Sequence, residues 1–340
     1  MCAERLGKQT FKIERAAGVL ASASAVGKKE GEGPLKRCFD YISPDARFGE
    51  KSWEKAESAM LRKCLELACG KSGTSSESLD LILSGDLLNQ CAGSAYALRD
   101  TGVPYLGLYG ACSTMAESLC LAALIIDGGA AEKVAALTSS HFCTAERQFR
   151  YPLEYGSVRT PTSQWTVTGA GALILARGAP APYVTRVTLG RILDAGITDT
   201  SNMGAAMAPA ACSTLLAHFA ETGRGPDYYD AIVTGDLGTT GSAILHELLA
   251  MDGVTLGAKH MDCGSVIYDL DRQQDVCSGG SGCGCSASVL AGYVLDNLRS
   301  GVWHRVLFAA TGALMSPTTS LQGESIPGIC HAAALETEIC

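Results

Sequence analysis

YGACSTMAESLCLAALII, residues 109–126, sets a cysteine, Cys112, at the head of a segment that carries no charge from Leu119 to Ile126. Gly110 can adopt backbone conformations closed to bulkier residues, and Thr114 with Glu117 has the spacing of a capping box. The turn therefore predicts a helix whose first N–H groups lie near the Cys112 sulfur, which would draw the thiol toward thiolate. A surface helix keeps a polar stripe, and this one has none. It is expected to be buried on all sides in a large or many-layered core. The plainer alternative for Cys112 is one more buried small residue.

The composition suits such a core. Of 340 residues, 47% are hydrophobic and 39 are glycine, while only 6% are aromatic, so layers of helix and sheet can approach closely. A net charge of −8 with 27 lysines and arginines argues against a nucleic-acid surface and leaves room for a local basic pocket. Fifteen cysteines are an odd count in a chain far longer than disulfide-stapled scaffolds, which points to a reducing compartment. The small-residue stretch AAGVLASASAVG at 16–27 follows Glu14 and Arg15 and lacks bulky apolar residues, unlike an export signal. Apolar runs near 119–126 and 205–217 fall short of the roughly eighteen residues a membrane helix needs, so no transmembrane segment is expected.

Outward from the Cys112 turn, the chain repeats itself. DLILSGDLL at 80–88 and DAIVTGDLG at 230–238 share Asp, three apolar residues, a hydroxyl, Gly, Asp and Leu in the same order. PYLGLYG at 104–110 feeds the first apolar helix, and the turn GGSGCGC at 279–285 introduces a second, SASVLAGYVLDNL at 286–298. KVAALTSS at 133–140 is answered by RVLFAATG at 305–312, both reading as buried strands. Trp53, Ala56, Met60, Cys64 and Leu67 recur at helical spacing, with Glu54, Glu57 and Arg62 among the residues on the other faces of an outer helix. HFCTAERQFRYPLEYG at 141–156 has no sustained period and reads as a long loop. A unit that cannot cover its own hydrophobic helix must pack it against its copy. The expectation is an α/β protein of two duplicated halves, 1–177 and 178–340, whose sheets sandwich the two apolar helices.

Longer stretches carry a resemblance: GKKEGEGPL at 27–35, SGDLLNQ at 84–90, YGACSTMAESL at 109–119, SSHFCTAERQFRYPLEYG at 139–156, QWTVTGAGA at 164–172, TGDLGTTG at 234–241 and QDVCSGGSGCGCSA at 274–287. A duplicated half with a cysteine heading its buried helix resembles the thiolase and ketoacyl synthase superfamily, whose fold is five layers, α-β-α-β-α. Within it the chain is similar over nearly its full length to the stage V sporulation protein AD family. The resemblance implies a protein that binds dipicolinic acid (pyridine-2,6-dicarboxylate), with calcium as its chelate, for uptake into the developing spore. It implies a non-catalytic role, no cofactor, partners among the membrane components of the dipicolinate channel, a peripheral place at the forespore or spore inner membrane, and a homodimer joined at sheet edges, for which 133–140 looks apolar enough.

The alternative is an acyl-thioester transferase or 3-ketoacyl synthase-like condensing enzyme with Cys112 as nucleophile. Condensation needs a base or imidazolium and a second donor for the enolate oxygen. Where the resemblance would place the histidine stands TGDLGTTG with Asp236, and where it would place the asparagine stands MDCGSVIYD near Cys263 and Gly264. His218, His246 and His260 read as structural or surface histidines. Asp86 and Asp236 sit at equivalent points of the repeat and read as turn caps near the pocket. A planar dianion asks for cations, N–H donors and flat apolar walls. The Cys112 turn offers the donors; Arg147 and Arg150, beside Phe149 and Tyr151 and close to His141, offer cations and walls, or else pair with Glu146 or Glu154 to order the segment. Cys277, Cys283 and Cys285 lack the spacing of a structural zinc site, and no metal ligands are assigned.

Overall fold

Ten strands carry the architecture, and the alternation of their side chains decides which layer each residue enters. The computed structural model describes residues 3–149 and 158–339. The first five strands are β1 (Thr10–Val26), β2 (Leu81–Gly85), β3 (Tyr105–Gly107), β4 (Lys133–Ser140) and β5 (Gly169–Arg177). The next five are β6 (Tyr183–Thr188), β7 (Ala231–Thr234), β8 (His260–Asp262), β9 (Arg305–Ala313) and β10 (Gly328–Glu336). In the first set β3, β2 and β4 run parallel, and β5 then β1 add antiparallel. The second set repeats this with β8, β7 and β9 parallel, then β10 and β6 antiparallel. β1 also pairs antiparallel with β6, so the order runs β8-β7-β9-β10-β6-β1-β5-β4-β2-β3 without a break.

The helices fill the spaces between. The longer ones among the described residues are α1 (Trp53–Ser72), α2 (Ala92–Leu98), α3 (Thr114–Gly128), α4 (Phe142–Phe149), α5 (Met203–Thr222), α6 (Gly238–Met251) and α7 (Cys283–Val289), the last continuing through a π turn at Leu290–Val294 into Leu295–Arg299. α3 and α7 share the central core, where Leu119, Ile126 and Val289 meet inward residues of both strand sets: Leu83, Leu173 and Leu175 from one, Phe308, Ala333 and Leu335 from the other. The alternate residues face outward. Ile82, Leu137 and Ile174 pack under α1 with Met60 and Leu61. Leu307, Ala309 and Ala334 pack under α5 and α6 with Met207 and Leu245. One period of two thus feeds separate cores and produces five layers, with full burial of each leucine or isoleucine contributing about 1.5–3 kcal/mol. α1 starts where Ser52 accepts from the Lys55 N–H and stops at Gly73, which takes the left-handed conformation at φ 65°.

Several expectations are corrected. Among the described residues two helices are long and apolar enough to cross a membrane, Ala111–Gly128 with 18 residues and Met203–Thr222 with 20, because the helical path extends the short apolar runs through alanines, serines and methionines. The expectation of no transmembrane segment, and the peripheral placement built on it, is overturned by that finding. In the fold 67% and 61% of these spans are buried. The strand at 133–140 is not a sheet edge: β2 and β5 occupy its two sides, and the open edge of that strand set is β3. Part of the supposed loop 141–156 is helix α4, and Lys28–Gly31 forms a helical turn. Arg150, Tyr151 and Glu154 lie outside the described residues.

Candidate functional site

The Cys112 turn is built differently from its sequence reading. Ala111, not Gly110, carries the left-handed φ, at 50°. Gly110 is needed for space, since a Cβ there would stand 2.6 Å from Ser113 Oγ and 2.7 Å from Glu117 Oε2. No capping box forms. The Thr114 hydroxyl accepts from the Gly110 N–H at 3.1 Å and donates to the Ala111 carbonyl at 2.7 Å, closing the turn before α3.

Opposite the sulfur lies the turn before α7, which the other strand set supplies. Cys112 Sγ is 4.0 Å from Ser281 Oγ. Ser281 Oγ and the Gly282 N–H donate to Asp236 Oδ2 at 3.2 and 2.9 Å, and Thr311 Oγ1 donates to Oδ1 at 3.0 Å. Gln164 holds this turn in register, its amide nitrogen donating to the carbonyls of Asp236 and Gly280, each at 2.7 Å. Burial pushes the Asp236 carboxyl up to about 7, against its hydrogen bonds, and pushes the Cys112 thiol well above its ordinary range, with Asp236 adding to the effect. The expected drift toward thiolate is therefore reversed: desolvation and a neighbouring carboxylate outweigh the helix start.

A cavity of about 50 Å³ opens beside the sulfur. Ala111, Cys112 and Ser281 form one side; Ala145, Glu146 and Phe149 of α4 form another; Met203, Met207 and Met315 close the third. Glu146 and Phe149 also border a larger cavity of about 610 Å³ lined by Arg159, Ser163 and Ser201.

The predicted residues do not all converge here. Asp86 is fully buried, accepting from the N–H groups of Leu88 and Ser94 at 2.9 and 2.7 Å, which is a turn cap within its own strand set. Asp236, by contrast, caps nothing in its own turn; Asp262 does so, accepting from the N–H groups of Leu237 and Gly238, each at 2.9 Å. His141 is buried, donating through Nε2 to the Ala46 carbonyl at 2.7 Å and accepting the Cys143 N–H on Nδ1 at 3.1 Å, and it does not line the cavity. Burial holds its pKa down. Arg147 is half-exposed and pairs with Glu54 of α1. His218 is held by Thr188 and Tyr229, and His246 by His260, all away from the sulfur's cavity. Cys283 and Cys285 donate to separate carbonyls, Ser139 and Gly235.

Two residues were missed. Glu57, assigned by periodicity to an outer face of α1, is fully buried and accepts from Ser139 and Thr144 at 3.2 and 2.7 Å. Its carboxyl is pushed up by burial and by Asp86. Arg159, in a stretch with no pattern, pairs with Glu146 at 3.2 Å and lies largely buried over Trp165. Phe142, Trp165 and Glu146 gather around it only in the fold, so the sequence carried no local signal for it.

Comparison with known proteins separates fold from family. The chain superposes on 3-oxoacyl-[acyl-carrier-protein] synthase III from Aquifex aeolicus VF5 with a TM-score of 0.58 at 12% identity, covering 94% of this chain and 99% of that one. It superposes on human mitochondrial 3-ketoacyl-CoA thiolase with a TM-score of 0.60, also at 12% identity, covering 96% and 99%. Likeness at that level shows the thiolase-like fold alone. At the sequence level the chain is 44% identical over 330 residues to stage V sporulation protein AD of Bacillus subtilis (strain 168), covering 97% of both chains. Residues 7–336 match the model of that family, and with the cysteine turn, the duplicated sheet and the glycine-rich turn before α7 all inside the matched span, the chain belongs to the stage V sporulation protein AD family.

Proposed function

We propose that this protein binds pyridine-2,6-dicarboxylate, free or as its calcium chelate, in the space between the Cys112 turn and α4, and serves its uptake into the developing spore. The observation that carries this reading is the concave, mostly apolar site closed jointly by Cys112, Ser281 and α4 in a chain of the stage V sporulation protein AD family. Calcium enters with its ligand, since it prefers the oxygen donors that the dicarboxylate brings. Acyl transfer through Cys112 is supported less well. A nucleophilic thiol needs a depressed pKa or an adjacent base, whereas burial and Asp236 raise this one, and among the described residues no histidine lines the cavity.

Titration calorimetry tests the reading. Saturable binding of pyridine-2,6-dicarboxylate, with benzoate competing poorly, is the expected result, because one carboxylate cannot use two anion contacts. No saturable binding by the folded chain, alone and with its membrane partners, overturns it. A stable acyl adduct on Cys112 after exposure to acyl-CoA donors, seen by intact mass, would favour the enzyme instead. We further infer that residues 1–177 and 178–340 are the two halves, and that two copies join through the open edge at β3, where Leu106 is half-exposed. Light scattering that finds only monomer across a range of concentrations would refute the dimer.

A further inference from the structure

The cavity beside Cys112 holds no lysine or arginine among its described lining residues, and the acids nearest it are Glu146 and, behind Ser281, Asp236. At about 50 Å³ it has room for a handful of non-hydrogen atoms, fewer than a ring bearing two carboxylates. Such a ligand must reach past Glu146 and Phe149 into the outer cavity, which those two side chains also border. There the cation among the described lining residues is Arg159.

Its guanidinium is held in one plane. It lies 4.8 Å from the centre of the Trp165 ring, which stacks on Phe142 at 3.9 Å, and Nη1 donates to the Gln164 carbonyl at 3.1 Å. Nη2 faces Glu146 Oε2 at 3.2 Å, while Glu146 Oε1 accepts from Thr166 Oγ1 at 3.3 Å. The other acid among the described residues lining the outer cavity, Asp199, is occupied by the N–H and hydroxyl of Ser201 at 2.9 and 2.6 Å. Glu146 thus presents to Arg159 the same group that a dicarboxylate would present, in the wall that the two cavities share.

We propose that Arg159 is the residue that selects a dicarboxylate, taking the outer carboxylate of the ligand in place of Glu146. The assignment rests on the dicarboxylate reading of the Cys112 cavity. A flat guanidinium braced on an aromatic face offers a preorganised fork to a carboxylate, and Glu146 is the internal competitor that the ligand displaces. The two residues therefore have opposite effects on binding although they form one ion pair.

The test measures affinity for pyridine-2,6-dicarboxylate and for pyridine-2-carboxylate, both metal-free, by calorimetry. Arg159→Gln should weaken the dicarboxylate about 10- to 100-fold and the monocarboxylate far less, reducing the preference between them. Glu146→Gln, which keeps an acceptor for Thr166, should tighten the dicarboxylate about 3- to 10-fold. Arg159→Lys, with charge but no fork, should lose part of the preference, and with Glu146→Gln it decides the matter if Arg159→Gln does not fold. Equal weakening by the Arg159 and Glu146 variants, or an unchanged preference, marks a pair that only holds the fold and overturns the assignment alone. Absence of binding by the wild-type chain overturns the dicarboxylate reading and the assignment with it.

Discussion

Asp86 and Asp236 occupy the same point of a repeated strand and turn, in DLILSGDLL and DAIVTGDLG, yet they look in different directions. Asp86 turns back on its own strand set and satisfies the N–H groups of Leu88 and Ser94. Asp236 leaves its own turn to Asp262 and reaches the loop before α7, where Ser281 and Gly282 bring it beside Cys112. Equivalent backbone places the two carboxyls alike; the neighbouring loops decide whether a carboxyl braces a turn or shapes a site. The contrast makes Asp86 structural and Asp236 an electrostatic neighbour of the thiol.

The largest effect should come from Asp86→Ala, which leaves two buried N–H groups without their acceptor. It should cost about 2–5 kcal/mol in chemical denaturation while leaving the ligand affinity of the folded protein within about threefold. Loss of binding with unchanged stability would reverse the comparison. Next is the pH dependence of stability. In the folded chain Asp236 keeps its proton up to about pH 7, whereas the unfolded carboxyl titrates near its ordinary 3.8. The folded state therefore binds the extra proton, and this contribution is full below about pH 4 and is lost as pH rises toward 7, with a slope of up to about 1.4 kcal/mol per pH unit. Asp236→Asn should flatten thermal stability across that window, and Asp86→Asn should change it differently, because Asp86 shares its burial with Glu57. An unchanged profile in Asp236→Asn would show that the carboxyl is already ionised there.

A smaller effect concerns the sulfur. With the negative charge removed in Asp236→Asn, alkylation of Cys112 should begin at lower pH than in the wild type, followed by intact mass against iodoacetamide. No displacement would mean that burial alone raises the thiol. The smallest change is expected from Cys112→Ala, which should retain ligand affinity within about 1 kcal/mol, because a raised, neutral thiol 4.0 Å from Ser281 Oγ is a weak polar partner. A loss of more than tenfold would make the sulfur a direct ligand contact.

The repeat, the two apolar helices and the layered core were legible because apolar periodicity and duplicated punctuation survive in the sequence. The site was legible only at its anchors. Cys112 and Asp236 stood out through the turn and the repeat, but the sign of the thiol's shift was not, since a helix start can be read from residues and desolvation cannot. Glu57 was hidden because a carboxylate on an amphipathic helix ordinarily faces water, and here Ser139 and Thr144 pay for its burial. Arg147 was prominent through its aromatic neighbours and turned instead to Glu54, while Arg159 sat unremarked in TPTSQW's approach, positioned by contacts remote from any local pattern.

The seam between β1 and β6 has a consequence for how the chain is made. Thr10–Gly18 leaves the ribosome well before Tyr183–Thr188, and at ordinary elongation rates the interval is roughly 10–30 s. For nearly all of it both sides of the first long strand await partners not yet synthesised, since Gly169–Arg177 on its other side is also made late. Lys12, Glu14 and Arg15 lie within that waiting stretch, and charges on an open strand edge discourage pairing with neighbouring nascent chains. The residues that interrupt an otherwise apolar strand thereby guard a template until its own sequence arrives to claim it.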